Sequence, residues 1–146
     1  MSLSGSCAMG IERPHVFVDS NILIYVTQQS SPLHERAMAA LANAAEAGPI
    51  RINQIVFAEV SGSFTSAAAV LAWLQDVQIE FAASMPEALF LASQAFLAYR
   101  EKGGPRLSIL PDFFIGADAV MAGEALLTND AKRYRTYFPE LELITP

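Results

Sequence analysis

The chain has 146 residues, 53 % of them hydrophobic, which suits one domain whose core needs no disulfide. Its net charge of −6 argues against a nucleic-acid partner unless the acidic residues gather in one pocket. No apolar run reaches the roughly 18 residues that a membrane span needs, and the single cysteine, Cys7, excludes an internal disulfide and favours a cytoplasmic setting.

The first thirteen residues differ in composition from the rest of the chain. Residues 1–13 are small and mixed and lack the apolar core of a signal peptide. We interpret them as a disordered extension or a cloning remnant. No long linker is visible in residues 14–146, so we expect them to form one domain.

Short apolar strands alternate with helical segments along this domain. Strands are predicted near residues 15–18, 50–52, 77–81, 125–127 and 141–144. Helices are predicted to begin at Ser20, Ser31-Pro32, Asn53, Ala67, the Ser84 capping box, Pro111 and Lys132. The alternation predicts an α/β fold with a central parallel sheet of about five strands, flanked by helices.

Four acidic residues occupy related places in this pattern. Asp19 and Asp130 each follow a buried strand, Asp112 lies in the first turn of a helix, and Glu59 lies in the helix that leaves the second strand. Because parallel strands place their carboxyl ends at one edge of a sheet, the four carboxylates could converge there. Each also has an ordinary alternative, as a helix cap, a first-turn acid or a surface side chain.

A pocket with four carboxylates would be unstable without a cation, because like charges repel and raise one another's pKa. Mg²⁺ or Mn²⁺ prefers oxygen ligands, and one or two such ions could activate water against a phosphodiester. His15 and His34 are the only histidines, and with no cysteine cluster beside them they do not predict a zinc site.

Four stretches of the chain carry a resemblance to a known family. VFVDSNILIY, INQIVFAEV, LPDFFIGADA and LLTNDAKRYRTYFP, in this order and spacing, resemble PIN-domain ribonucleases, in particular VapC-type toxins of toxin–antitoxin pairs. The resemblance implies that Asp19, Glu59, Asp112 and Asp130 are catalytic and bind one or two Mg²⁺ or Mn²⁺ ions. It also implies RNA as substrate, a cognate antitoxin and a homodimer.

The family pattern adds two polar helpers, Asn21 and Thr128, for which a cap or turn role is an equal alternative. One position departs from the pattern, since Asp118 stands where related sequences tend to carry histidine. Asp118 follows Asp112 by about 240° around a helix, so the two should not face one ion. Asp118 is expected to contact a metal ligand rather than the metal, to lie at the pocket rim or to be solvated. Gly116, on the face of Asp112, could leave room for metal or substrate.

Basic residues cluster in two segments that could guide an RNA backbone past the acidic pocket. The candidates are Arg100, Lys102 and Arg106 in one segment and Lys132, Arg133 and Arg135 in the other. Solvated helix ends are the equal alternative, because Lys and Arg are favoured in last turns.

The leading hypothesis is therefore a metal-dependent endoribonuclease that acts as a toxin. A phosphatase or phosphoryl-acceptor domain with Asp19 as nucleophile is a second hypothesis, although position 21 is asparagine where such sites generally want an acid. A non-catalytic PIN-like binding module is a third, and the presence of all four acids argues against it.

Overall fold

Short strands and helices alternate along residues 13–105 and 110–146, the parts of the chain that the computed structural model describes. The strands are β1 (Val16–Val18), β2 (Ile50–Ile52), β3 (Ile79–Phe81), β4 (Ala125–Leu127) and β5 (Leu143–Ile144). The helices are α1 (Ser20–Thr27), α2 (His34–Ala47), α3 (Gln54–Val60), α4 (Ala67–Asp76), α5 (Pro86–Glu101), α6 (Pro111–Ala122) and α7 (Ala131–Tyr137). A single 3₁₀ turn, Ser61–Ser63, follows α3.

The five strands form one parallel sheet in the order β3-β2-β1-β4-β5, which confirms the predicted α/β fold. β1 lies at the centre, with Val16 opposite both Ile50 of β2 and Ala125 of β4. From β1 the chain proceeds outward to β2 and β3 on one side, and it later returns to β4 and β5 on the other. The carboxyl ends of β1 and β4 therefore border the switch point, where open α/β sheets bind ligands.

Apolar residues of the strands and helices form one core around this sheet. Phe17 and Val18 of β1 and Leu126 and Leu127 of β4 are fully buried, as expected for strands covered on both faces. α5 packs along α6, and α1 packs along α2. Within the described ranges no single helix is long and apolar enough to cross a membrane. The helical segments Gln54–Ser63 and Ala67–Asp76 together have the length and composition of a span, but the chain bends by 105° between them.

Two predicted helix starts are wrong because their serine side chains have other partners. α5 begins at Pro86 without a side-chain cap, and the Ser84 hydroxyl instead donates to Asp118, with an Oγ–Oδ2 distance of 2.6 Å. α2 begins at His34, because Ser31 Oγ accepts from the backbone N–H of Leu33 and forms a turn before the helix. The predicted cap Asn53 does bind backbone N–H groups of α3, and Ser66, which the sequence analysis did not single out, caps α4.

Gly116 does not leave room for metal or substrate, so that interpretation is wrong. The glycine is buried in α6, and a Cβ atom placed on it would lie 2.4 Å from two ring carbons of Phe138. The Phe138 side chain is itself buried, so it fills the space beside the helix. Gly116 thus lets the residue after α7 pack directly on α6.

We expect Gly116→Ala to lower the free energy of unfolding by about 1–3 kcal/mol, because the added methyl group overlaps the Phe138 ring. Urea unfolding measures this change. Gly62→Ala is the matched control, since no atom lies within 4 Å of its added Cβ, and its stability should change by no more than about 0.5 kcal/mol. Equal stability of the two variants would contradict the packing assignment.

Candidate active site

Asp19 lies directly after the central strand and is the N-cap of α1. Its Oδ1 accepts from the Ser20 backbone N–H at 2.7 Å, and its Oδ2 accepts from the Thr128 hydroxyl at 2.8 Å and from Asn21 Nδ2 at 3.3 Å. The residue is only 4 % exposed. The ends of β1 and β4 thus hold one buried carboxylate between them.

The burial of Asp19 controls its charge. Desolvation by burial raises the pKa of this carboxyl to about 6, and the negative charge of Asp112 raises it further, while the hydrogen bond from Thr128 lowers it. At neutral pH the carboxylate is ionised in surroundings that disfavour the ionised form. A cation bound nearby would offset that penalty.

Glu59 is connected to Asp19 through the first residue of α1. The Ser20 hydroxyl lies 2.7 Å from Glu59 Oε1 and 3.5 Å from Asp19 Oδ1, so it can donate to either carboxylate. Glu59 itself is exposed at the surface of α3. Ser20 therefore couples a buried acid to an accessible one.

Asp112 and Asp130 are joined by an arginine. Nη1 of Arg133 donates to Asp112 Oδ2 at 2.6 Å, and its Nη2 lies 3.1 Å from Asp130 Oδ2. The Asp112 side chain is 16 % exposed and that of Arg133 is 52 % exposed. The hydrogen bond with Asp112 is the main reason that the pKa of Arg133 is raised. Asp130 begins α7 without capping it, since its side chain accepts no backbone N–H.

The predicted quartet is therefore arranged as two linked pairs, Asp19 with Glu59 and Asp112 with Asp130, and one acid of each pair lines a common pocket. Glu59, Asp112 and Arg133 line a cavity of about 300 Å³, and Asp19 lies close enough to Asp112 for their charges to interact. Among the residues that the structure describes, no three acidic, histidine or cysteine side chains already form a metal-binding group.

The chemistry of this pocket nevertheless fits a divalent metal ion. Its donors are carboxylate and hydroxyl oxygens, the ligands that Mg²⁺ and Mn²⁺ prefer. The guanidinium of Arg133 supplies positive charge to Asp112 and Asp130 in this arrangement. An ion shared by those two carboxylates would take over that compensation, and Arg133 would be released.

Asn21 and Thr128 both touch the quartet. Asn21 donates to Asp19, and its Oδ1 accepts from the backbone N–H of Asn129 at 3.2 Å. Thr128 is fully buried, and its hydroxyl accepts from the backbone N–H of Asp130 at 3.0 Å while it donates to Asp19. The two side chains hold the loops after β1 and β4 together.

Asp118 belongs to a different polar cluster, and the interpretation as a solvated acid is wrong because the residue is 5 % exposed. Its Oδ2 accepts from Asn53 at 2.9 Å and from Ser84 at 2.6 Å, and its Oδ1 lies 3.4 Å from Nη2 of Arg51. Arg51 also pairs with the buried Glu124 at 2.9 Å. The cluster ties α6 to the ends of β2 and β3.

The other candidate cations do not line the acidic pocket where the structure describes them. Lys132 and Arg135 are exposed on α7, and Arg100 is exposed near the end of α5. Lys102 lines a cavity of about 400 Å³ that shares Tyr99 and Tyr137 with the acidic pocket. Arg106 lies outside the described residues.

Three residues at the site were not among the sequence predictions. Ser20 links Asp19 to Glu59, and its position directly after Asp19 was the available signal. Tyr137 and Tyr99 form an edge-to-face pair at 5.2 Å beside Asp112. In the sequence each tyrosine fits the helical pattern of a buried aromatic residue, so nothing there indicates that it lines a pocket.

Comparison with known proteins gives the same fold. A family model described as PIN domain matches residues 16–139, whereas no curated protein sequence matches significantly. The structure of VapBC2 from Rickettsia felis bound to a DNA fragment from their promoter is similar at a TM-score of 0.68 and 20 % identity, covering 90 % of this chain and 98 % of that chain. VapBC-1 from nontypeable Haemophilus influenzae gives a TM-score of 0.66 at 14 % identity, covering 90 % and 97 %. DNA-bound VapBC from Salmonella typhimurium gives 0.62 at 17 %, covering 90 % and 98 %.

The raised pKa of Asp19 predicts a pH-dependent stability of the metal-free protein. The folded protein holds this proton up to about pH 6, whereas the carboxyl ordinarily titrates at 3.8, so stability should fall as pH rises between these values. Above about pH 7 the free energy of unfolding should be lower by at most roughly 3 kcal/mol, since each pKa unit corresponds to about 1.4 kcal/mol.

Asp19→Asn should remove this dependence and stabilise the metal-free protein near neutral pH. The gain is smaller than the limit above, because an amide cannot accept all the hydrogen bonds that the carboxylate accepts. Chemical unfolding in EDTA, from about pH 4 to pH 7, measures both effects for wild type and variant. If the stability of wild type rises across this pH window as much as the stability of the variant does, the raised pKa assigned to Asp19 is wrong.

Proposed function

The chain belongs to the PIN-domain family, and from this premise we propose that it is a Mg²⁺- or Mn²⁺-dependent endoribonuclease that acts as the toxin of a toxin–antitoxin pair. The observation that carries the proposal is the burial of Asp19 beside further carboxylates at the switch point of the sheet. Such a group of acids requires a cation, and the family resemblance supports a nuclease as the use for it.

In this proposal Asp19, Glu59, Asp112 and Asp130 hold the metal directly or through water. A bound Mg²⁺ or Mn²⁺ supplies an activated water for attack on phosphorus and stabilises the negative charge that develops on the phosphodiester. Thr128 and Ser20 fix the orientation of the Asp19 carboxylate by hydrogen bonding. Glu59 and Asp130 have solvent-accessible carboxylates, so in this proposal they would accept the proton that the attacking water loses.

RNA is proposed as the substrate, which would place the activity in the cytoplasm. A protein with a net charge of −6 needs local cations to approach a phosphate backbone. Arg133 lines the acidic pocket, and Lys102 lines the adjoining cavity. Arg133 pairs with Asp112 and Asp130 in the metal-free arrangement, and its guanidinium would be available to a phosphate if a metal ion were held by those carboxylates.

The partner proposed for this protein is an antitoxin that places an arginine or lysine in the acidic pocket. Arg133 supports this idea, since it demonstrates that one guanidinium can pair with Asp112 and Asp130 at once. The structural neighbours include VapBC complexes from three organisms. A cationic side chain of the partner would compete with metal for the same carboxylates.

A homodimer is proposed as well. α5 and the residue before it expose several large apolar side chains, with Phe90 at 68 %, Met85 at 65 % and Leu97 at 52 % exposure. Apolar surface of this kind is typical of a protein–protein interface.

The nuclease proposal predicts that Asp112→Asn and Asp19→Asn each lower RNA cleavage by at least about 100-fold, because each removes a charged metal ligand. Cleavage of a labelled RNA mixture at saturating Mn²⁺ measures this loss, with EDTA as the metal-free reference. The products should carry 5′-phosphate and 3′-hydroxyl ends.

Asp118→Asn is the matched control on the same helix. It weakens a buried cluster and should lower stability, but Asp118 lies away from the pocket, so cleavage by the folded variant should remain within a few fold of wild type. If Asp118→Asn lost more activity than Asp112→Asn, the assignment of the third acid would be wrong.

The partner proposal predicts a tight complex with the product of a neighbouring gene. Light scattering of the chain alone should give the mass of a dimer, and co-purified partner should increase the mass and suppress cleavage. Replacing the partner's arginine or lysine that enters the pocket should restore cleavage while the complex still forms. A monomeric chain whose cleavage is unaffected by that product would contradict the toxin–antitoxin proposal and leave the nuclease proposal standing.

A further inference from the structure

Tyr134 has a buried hydroxyl without a hydrogen-bond partner among residues 13–105 and 110–146. The side chain lies on α7, one turn after Asp130, and is fully buried. It is the one buried side-chain polar atom in the described part of the chain for which no partner is found. Buried polar groups in folded proteins are nearly always paired, so this hydroxyl calls for hydrogen bonds that it does not make in this arrangement of side chains.

The surroundings of this hydroxyl are the acids of the candidate site. Asp19 lies close enough for the phenol to lower the pKa of Asp19, and Asp112 and Glu59 also act on the phenol through their charges. Burial and these negative charges raise the pKa of Tyr134, so the phenol keeps its proton and remains a donor at neutral pH. The hydroxyl is thus buried within reach of the acidic cluster.

The chemistry of a protonated phenol restricts what the missing partner can be. A neutral phenol is a weak ligand for a hard divalent ion, and a fully buried one cannot reach a substrate that stays at the pocket mouth. A water molecule held by the ion can reach both, because it donates strongly to the phenol oxygen while the phenol donates its own proton to a carboxylate.

We propose that Tyr134 is a positioning residue whose hydroxyl accepts a hydrogen bond from a metal-held water and donates to Asp19. This inference rests on the proposed metal dependence and adds a residue that acts through the carboxylate and the water. Mg²⁺ keeps several waters when few carboxylates hold it, so a fixed acceptor inside the pocket would orient one of them. Tyr134 would thereby increase metal affinity and set the direction of the Asp19 carboxylate.

Tyr134→Phe removes the hydroxyl and keeps the ring that packs in the core. Two results are expected from the full chain. In EDTA the variant should be at least as stable as wild type, because an unpaired buried polar group has been removed. Its affinity for Mn²⁺, measured by titration calorimetry with the metal alone, should fall about tenfold, as for the loss of other hydrogen-bond partners of metal sites.

Tyr25→Phe is the matched control, since Tyr25 is half-buried on α1 and its phenol has no place in the acidic cluster. Its Mn²⁺ affinity should equal that of wild type. The increase in melting temperature on adding saturating Mn²⁺ should be smaller for Tyr134→Phe than for wild type or Tyr25→Phe. This difference is one that a purely packing role of the ring would not produce.

The outcomes separate this inference from the proposed function. If wild type binds Mn²⁺ and Tyr134→Phe binds it equally well, the role of Tyr134 is overturned and the metal site stands. If Tyr134→Phe is destabilised in EDTA with unchanged Mn²⁺ affinity, the hydroxyl holds a structural water independent of metal, which also overturns the inference. If wild type binds no Mn²⁺, both proposals are overturned.

Discussion

The burial of the Asp19 carboxylate at the end of the central strand is the constraint on which the site depends. β1 is covered on both faces and flanked by β2 and β4, so the residue that follows it is removed from water. A carboxylate there needs hydrogen bonds, and it obtains them from the first N–H of α1 and from Thr128 at the end of β4. These bonds do not remove the repulsion from Asp112, which a bound cation would offset.

α6 positions Asp112 because it is fixed at two other points. Asp118 binds Arg51, Asn53 and Ser84 on the side of β2 and β3, and Gly116 packs against the Phe138 ring. A helix held in this way can neither rotate nor slide without breaking a buried polar cluster or a close contact. The first turn therefore presents Asp112 to the pocket in a defined direction.

Arg133 explains how a protein with a net negative charge can contain an acidic pocket without losing its fold. Its guanidinium pairs with Asp112 and Asp130, and its side chain remains half-exposed. Exposed ion pairs are weak and open readily in water. The same arginine is therefore able to hold the pocket together in the metal-free protein and to give way to another cation, whether an ion or a partner's side chain.

The helices and strands and their order could be predicted from the amino-acid sequence, because strand burial and helix periodicity are local patterns. Asp19, Glu59, Asp112 and Asp130 were predicted as site residues from their places after buried strands or within helices and from the family resemblance, and their role remains a prediction. Helix periodicity likewise separated Asp118 from Asp112. Three contacts could not be predicted from the sequence: Gly116 accommodates Phe138, Ser84 binds Asp118 rather than capping α5, and Arg133 pairs with two acids. Most of these contacts join residues far apart in the chain, and they depend on distances that are set by packing. The unpaired hydroxyl of Tyr134 belongs with them, because burial without a partner is a property of the folded chain and not of a residue type.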